Sequence, residues 1–172
     1  MNKPYKTKIP GFGIRWAERN DIPLIRSLII AIAEYEKLSH EVVATEKDLE
    51  KYLFGEHKIA EVLLGHYNGK SVGFALFFHN FSTFEGKPGI YLEDLFIHEE
   101  YRGNGFGKAL LTLLAKIAVE RGCARLEWSV LDWNKPALDF YTSLGAIIMN
   151  EWLTNRVTGK SLTTMAEMFE EG

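Results

Sequence analysis

The run Arg102-Gly103-Asn104-Gly105-Phe106-Gly107-Lys108 is the chain's most informative chemical signal. It follows an apolar, β-branched stretch and leads into a helical pattern. A strand running through glycines into a helix start is an anion-binding arrangement, because the first amides of a helix have no intrahelical partner and the helix dipole is positive there. Glycines also remove the Cβ atoms that would hold a phosphate off the backbone. Arg102 could add charge or could brace the loop. Two familiar nucleotide loops are disfavoured. A Walker loop ends in Gly-Lys-Ser/Thr, and here Gly107-Lys108 is followed by Ala109. A dinucleotide fingerprint needs its third glycine one residue later. The histidines, His40, His57, His66, His79 and His98, have no metal-ligand spacing. No Ser-His-Asp or Cys-His set stands out as a nucleophile.

The elements that position this loop can be read from periodicity. Ile14 to Ala17 reads as a first strand and Met1 to Gly13 as a loose lead-in or edge segment. Asn20 or Asp21 can cap a helix with Pro23 in its first turn, and Ile25, Leu28, Ile29 and Ile32 carry it to about Glu36. Thr45-Glu46-Lys47-Asp48 resembles a capping box opening a second helix through about Phe54. Ile59 to Tyr67 and Ser71 to Phe78 read as a hairpin about Asn68-Gly69, a pair suited to positive φ at both central turn positions. Ile90 to Ile97 is a further strand, about Lys108 to Arg121 a helix closed by Gly122, Arg125 to Val130 a strand, and Pro136 to Leu144 a short helix. Ala146 to Leu153 is expected to be a strand, and Thr154 to Gly172 could hold one more before a solvated acidic end. The order predicts an α+β domain over residues 1–172, with a mixed central β-sheet of six to seven strands flanked by helices.

Composition narrows the function classes. The chain has 172 residues, 47% hydrophobic and 25% charged, with a net charge of -3, so it reads as a globular domain and not a nucleic-acid binder. A mild acidic surplus fits a cationic partner. Cys123 is the single cysteine, which excludes an internal disulfide. No stretch approaches the roughly 20 apolar residues needed to cross a bilayer, and no apolar leader is evident, so a cytoplasmic location is expected.

The glycine loop and a second segment, Trp133-Asn134-Lys135-Pro136-Ala137-Leu138-Asp139-Phe140-Tyr141 with Leu144-Gly145-Ala146, resemble the GNAT family of N-acetyltransferases. Glu34-Tyr35-Glu36-Lys37-Leu38, Thr45 to Leu49, Phe54-Gly55-Glu56-His57 and Tyr91-Leu92-Glu93-Asp94 are similar to its diamine acetyltransferase branch, which includes the spermidine/spermine acetyltransferases. Ser82-Thr83-Phe84 and Leu131-Asp132-Trp133-Asn134 look more like the thialysine N-ε-acetyltransferases. Ser82 stands where the polyamine enzymes carry an aspartate.

The resemblance implies acetyl-coenzyme A as cosubstrate, with no metal. It implies that amides of Leu95, Phe96 and Ile97 hold the pantetheine arm and acetyl carbonyl, and that Arg102, Gly103, Asn104, Gly105, Phe106, Gly107 and Lys108 cradle the pyrophosphate. Asn134, Pro136 and Ala137 would touch the coenzyme, although Asn134 could simply cap its helix. Tyr141 matches the family's general acid beside the coenzyme sulfur, the alternative being an aromatic on a buried helix face. Glu93 matches a residue that helps deprotonate the amine, directly or through water. That need is real: an alkyl ammonium with pKa about 10.4 costs roughly 4–5 kcal/mol to deprotonate at pH 7. Tyr35, Glu36, Ser82, Phe84, Glu93, Asp94, Glu127, Trp128 and Ser129 are the implied amine-site residues. The expected function is acetyl transfer to the primary amine of a small cationic substrate by direct attack in a ternary complex, in a homodimer with no nucleic-acid or membrane partner. Alternatives are a protein or peptide N-acetyltransferase and a non-catalytic coenzyme A-binding domain.

Overall fold

A computed structural model of the chain describes residues 4–169. The core forms because three long strands carry continuous apolar runs, such as Val62 to Leu64 and Val72 to Phe77, that are buried on both faces of the sheet. Leu64, Phe74 and Phe96, on neighbouring strands, are buried together against Ile25 and Leu28 of the first helix. By contact the chain divides into two compact units, residues 1–129 and 130–172.

The first unit holds a six-stranded sheet in the order β1 to β6. Its strands are β1 (Tyr5–Lys6), β2 (Phe12–Trp16), β3 (Glu61–Tyr67), β4 (Lys70–Ser82), β5 (Lys87–Ile97) and β6 (Leu126–Trp128). All neighbours are antiparallel except β5 and β6, which are parallel. The sheet is therefore mixed, as the sequence predicts. The lead-in contributes an edge strand, β1, and β2 begins at Phe12 inside it.

Helix α1 (Ile22–Tyr35) carries Pro23 in its first turn. Asp21 stands at its N-cap position, but its carboxylate is spent on Arg15 at 2.6 Å and the Glu18 amide at 2.7 Å instead of capping the helix. The capping box at Thr45 forms as expected: Thr45 Oγ1 accepts from the Asp48 amide at 3.2 Å and Asp48 Oδ2 accepts from the Thr45 amide at 2.9 Å. It opens α2 (Glu46–Leu49), which widens into a π-helical turn over Glu50–Phe54. The β3–β4 turn has φ of 49° at Asn68 and 81° at Gly69, the two positive values its sequence requires. Helix α3 (Phe106–Glu120) packs on β5, and Gly122 follows it with φ 69°.

The second unit holds α4 (Lys135–Ser143) and α5 (Gly159–Ala166). Two expectations fail here. Ala146 to Leu153 is not a strand: its amides close local turns, Asn150 to the Ile148 carbonyl and Trp152 to the Met149 carbonyl. A strand needs a neighbour to take its hydrogen bonds, and this unit holds no other strand among its described residues. Thr154 to Gly172 supplies a helix where a further strand was possible, with Leu162 and Met165 three residues apart on it. Its acidic end, residues 170–172, lies outside the described residues. Among the described residues no helix is long and apolar enough to cross a membrane.

Candidate active site

The site grows from an irregularity in β5. Leu76 pairs with Asp94 and Phe77 pairs with Leu92, so Glu93 is an extra residue with no partner on β4. Such a bulge leaves one residue unpaired and re-aims the chain. Its effect on the backbone is visible in the hydrogen bonds on either side. Before it, the Ile90 amide donates toward β6, to Arg125 O at 3.0 Å. After it, the His98 amide donates toward β4, to Val72 O at 2.9 Å. Amide direction alternates along a strand. Phe96 therefore faces β4 with His98, while Leu95 and Ile97 face the opposite edge. Without the bulge, Leu95 and Ile97 would have been consumed by the β4 ladder.

That opposite edge is open. The β5–β6 pairing runs only from Ile90 to Leu92, opposite Leu126 to Trp128. Past Leu92 no strand among the described residues covers the β6 side of β5. Of the three expected backbone donors, Leu95 and Ile97 are presented there, and the amide of Phe96 is turned to β4.

The glycine loop follows directly. Gly103 and Gly105 have φ of 78° and 81°, a region costly for any residue with a Cβ. A Cβ built on Gly103 meets nothing within 4 Å, so the space beside that backbone is open. Gly105 occupies the N-cap of α3 with no side-chain cap, and the first amide to find a helical partner is Ala109, bonded to Gly105 O at 3.0 Å. The amides of Phe106, Gly107 and Lys108 thus lack intrahelical acceptors. The ring of Phe106 is buried and stacks on Phe12 with centroids 4.2 Å apart, which fixes where the helix begins. Asn104 bonds the Tyr101 and Arg102 carbonyls at 3.1 and 3.2 Å. Arg102 takes the bracing alternative: its Nε donates to Ile97 O at 3.0 Å and its guanidinium lies 4.1 Å from the Tyr35 ring centroid. Open space beside left-handed glycines, free helix-start amides and an open strand edge fit a pyrophosphate with a pantetheine arm.

Beside the bulge lies a cavity of about 370 Å³. Four carboxylates line it: Glu36 at the end of α1, Glu41, and Glu93 and Asp94 of β5. Ile29, Ile32 and Val42 supply apolar wall, and no lysine or arginine is among the lining residues. Burial pushes the Asp94 carboxyl up to about 7, helped by the negative charges of Glu93 and Glu36. Burial raises Glu36 as well. Groups pushed this way favour a cation, whose charge offsets the cost of ionising them.

The structure thus brings Glu36, Glu93 and Asp94 together. Tyr35 lies under Arg102, by the glycine loop. Ser82 is buried at the far end of the β4–β5 hairpin, where its Oγ accepts from the Glu85 amide at 3.2 Å. It is six residues along β4 from Leu76, the partner of Asp94, or roughly 20 Å. Phe84, in the same turn, is 95% exposed. Glu127 binds Asn80 and Arg125, Trp128 pairs with Leu92, and Ser129 Oγ lies 2.7 Å from the Tyr91 hydroxyl. Glu41, Asn80, Tyr91 and Arg125 are site neighbours the sequence reading missed. A lone amide in the aromatic run Phe77-Phe78-His79-Asn80-Phe81 was the one available signal.

In the second unit, Asn134 caps α4 by accepting from the Ala137 amide at 3.4 Å, with Pro136 in the first turn. Tyr141 is half-buried on the same helix, its ring centroid 5.2 Å from that of Phe140.

Residues 27–146 match the Acetyltransferase (GNAT) family. The thialysine N-epsilon-acetyltransferase of Bos taurus is 39% identical over 164 residues, covering 89% of this chain and 96% of that protein. The L-ornithine N5-acetyltransferase of Arabidopsis thaliana is 35% identical over 200 residues, covering 90% and 88%. Among solved structures, an integron cassette protein from the mobile metagenome of V. cholerae superposes with a TM-score of 0.77 at 28% identity, covering 91% of this chain and 98% of that one. The chain belongs to the GNAT family and is an N-acetyltransferase. Its likeness to the thialysine and diamine acetyltransferase branch holds.

Proposed function

We propose that the enzyme uses acetyl-coenzyme A to acetylate the primary amine of a small cationic acceptor. The observation that carries this is the carboxylate-lined cavity at Glu93 and Asp94, immediately before the strand edge where Leu95 and Ile97 present their amides. Relatives named for thialysine and ornithine acetylation agree with it.

When bound, acetyl-coenzyme A supplies an acetyl thioester as the acyl donor. The amides of Gly103 through Lys108 hold its pyrophosphate, and the Leu95 and Ile97 amides hold the pantetheine arm and the acetyl carbonyl. An amide aimed at that oxygen stabilises the charge that develops on it during attack. Glu36, Glu93 and Asp94 draw the ammonium into the cavity by charge-assisted bonds. The Glu93–Asp94 pair takes the ammonium proton, directly or through water. Burial and mutual repulsion hold one of its carboxyls near neutrality, the range in which a general base works best. Tyr141 donates a proton to the departing sulfur, a role that rests on its motif. Attack is direct, without an acetylated side chain, and the working unit is a homodimer in the cytosol.

The test is the pH dependence of kcat/KM for Glu93→Gln and Asp94→Asn. The unaltered enzyme loses activity as pH falls through about 7, where the pair gains its proton. Asp94→Asn moves that limb, and Glu93→Gln lowers the plateau by about 100-fold, the scale of a lost proton acceptor. Profiles that overlay the unaltered enzyme's would remove the pair from the chemistry.

A further inference from the structure

A second polar cluster lies on the sheet face that carries Asp94. Paired residues share a face and side chains alternate along each strand. Asp94 pairs with Leu76, Tyr91 with Phe78 and with Glu127, and Gly89 with Asn80. Asp94, Tyr91, Glu127 and Asn80 therefore form one track leading away from the acidic cavity. Glu127 is two residue levels beyond Asp94 and one strand over, about 8 Å by strand geometry.

Three side chains are tied together there. Arg125 Nε lies 2.8 Å from Glu127 Oε2, and Asn80 Nδ2 donates to the same oxygen at 2.7 Å. Holding Asn80 in that orientation leaves its Oδ1 buried without a partner, which costs free energy. The backbone makes room for the cluster with a glycine: a Cβ at Gly89 would run into Asn80 Oδ1 and come within 2.9 Å of Arg125 Cγ. A fixed carboxylate beside a guanidinium, both near 40% exposed, presents a negative and a positive group side by side. A surface ion pair contributes little to stability, so stability does not explain a buried orphan acceptor and a clearing glycine. The head of an α-amino acid, an ammonium next to a carboxylate, has the complementary pattern. A chain of four methylenes and an amine, with bonds of about 1.5 Å, spans ~6 Å from the α-carbon, close to the separation of the two clusters.

We propose that Arg125 and Glu127, positioned by Asn80, recognise the carboxylate and ammonium of an amino-acid acceptor whose side-chain amine enters the Glu36–Glu93–Asp94 cavity. Arg125 makes the acceptor an amino acid in preference to the diamine that lacks its carboxylate. This rests on the amine-acetylating function proposed above and adds the class of amine.

Lysine and cadaverine differ by that carboxylate alone and make the test. With acetyl-coenzyme A, the unaltered enzyme favours lysine in kcat/KM. In Arg125→Gln the lysine-to-cadaverine ratio falls about tenfold or more, as expected for one lost charge-assisted contact, through KM for lysine and not kcat. Cadaverine is still turned over, with a KM no higher than the unaltered enzyme's because Glu127 is left free for its second ammonium, and serves as the folding control. A merely structural role for Arg125 would lower both substrates together and leave the ratio fixed. That result, or an unaltered enzyme that prefers cadaverine, overturns the proposal while the amine-acetylating function stands. Absence of turnover with lysine, cadaverine and every other small amine overturns that function and this proposal with it.

Discussion

Asp94 carries the sharpest residue-scale consequence. Its carboxyl titrates near 7 in the folded chain, against 3.8 for an ordinary aspartate, because burial and the charges of Glu93 and Glu36 oppose ionisation. Between about pH 4 and pH 7 the folded chain therefore keeps a proton that the unfolded chain releases. Stability falls as pH rises through that window and levels off above it. Denaturant unfolding at pH 5 and pH 8 should show Asp94→Asn gaining on the unaltered protein at the higher pH; a gap that does not change with pH would contradict the assignment. A bound cation reverses the preference, so the site is costly when empty and favourable when filled. The sequence named Glu36, Glu93 and Asp94 through resemblance, yet nothing in residue type announced that Asp94 is displaced toward neutrality. That depends on burial, which the pattern Tyr91-Leu92-Glu93-Asp94 does not specify.

At the scale of elements, the bulge in β5 and the loop before α3 do the positioning. The loop was legible because left-handed backbone needs glycine, and Gly103 and Gly105 both adopt it. The bulge was not, since Glu93 looks like any strand carboxylate until its pairing is known. Gly103→Val adds a branched side chain at φ 78° and fills the space beside the helix-start amides. Strain of roughly 1–2 kcal/mol follows. The KM for acetyl-coenzyme A should rise about tenfold or more as amide contacts to phosphate are lost. The KM for the amine should change little; equal losses for both substrates would point to general unfolding of the loop.

For the whole molecule, strands β2 to β5 and helices α1 and α3 were readable because each is long, periodic and buried on its own face. Beyond Val130 the helix expected over Pro136 to Leu144 forms as Lys135–Ser143, and the expectations fail only after it. Ala146 to Leu153 has the apolar content of a strand, but a strand is defined by a neighbour, and its own unit offers none among the described residues. Family membership fixes acetyl transfer, and under the function proposed above the acidic cavity selects the acceptor by charge. The acceptor is therefore expected to be a small cationic amine. The most direct measurement is thiol release from acetyl-coenzyme A over a panel of thialysine, lysine, putrescine, spermidine, spermine and a peptide with a free amino terminus, with products identified by mass spectrometry. Turnover of a small amine, with one acetyl group on its primary nitrogen, and little turnover of the peptide are expected. Turnover of the peptide alone would contradict that expectation and assign the enzyme to protein acceptors.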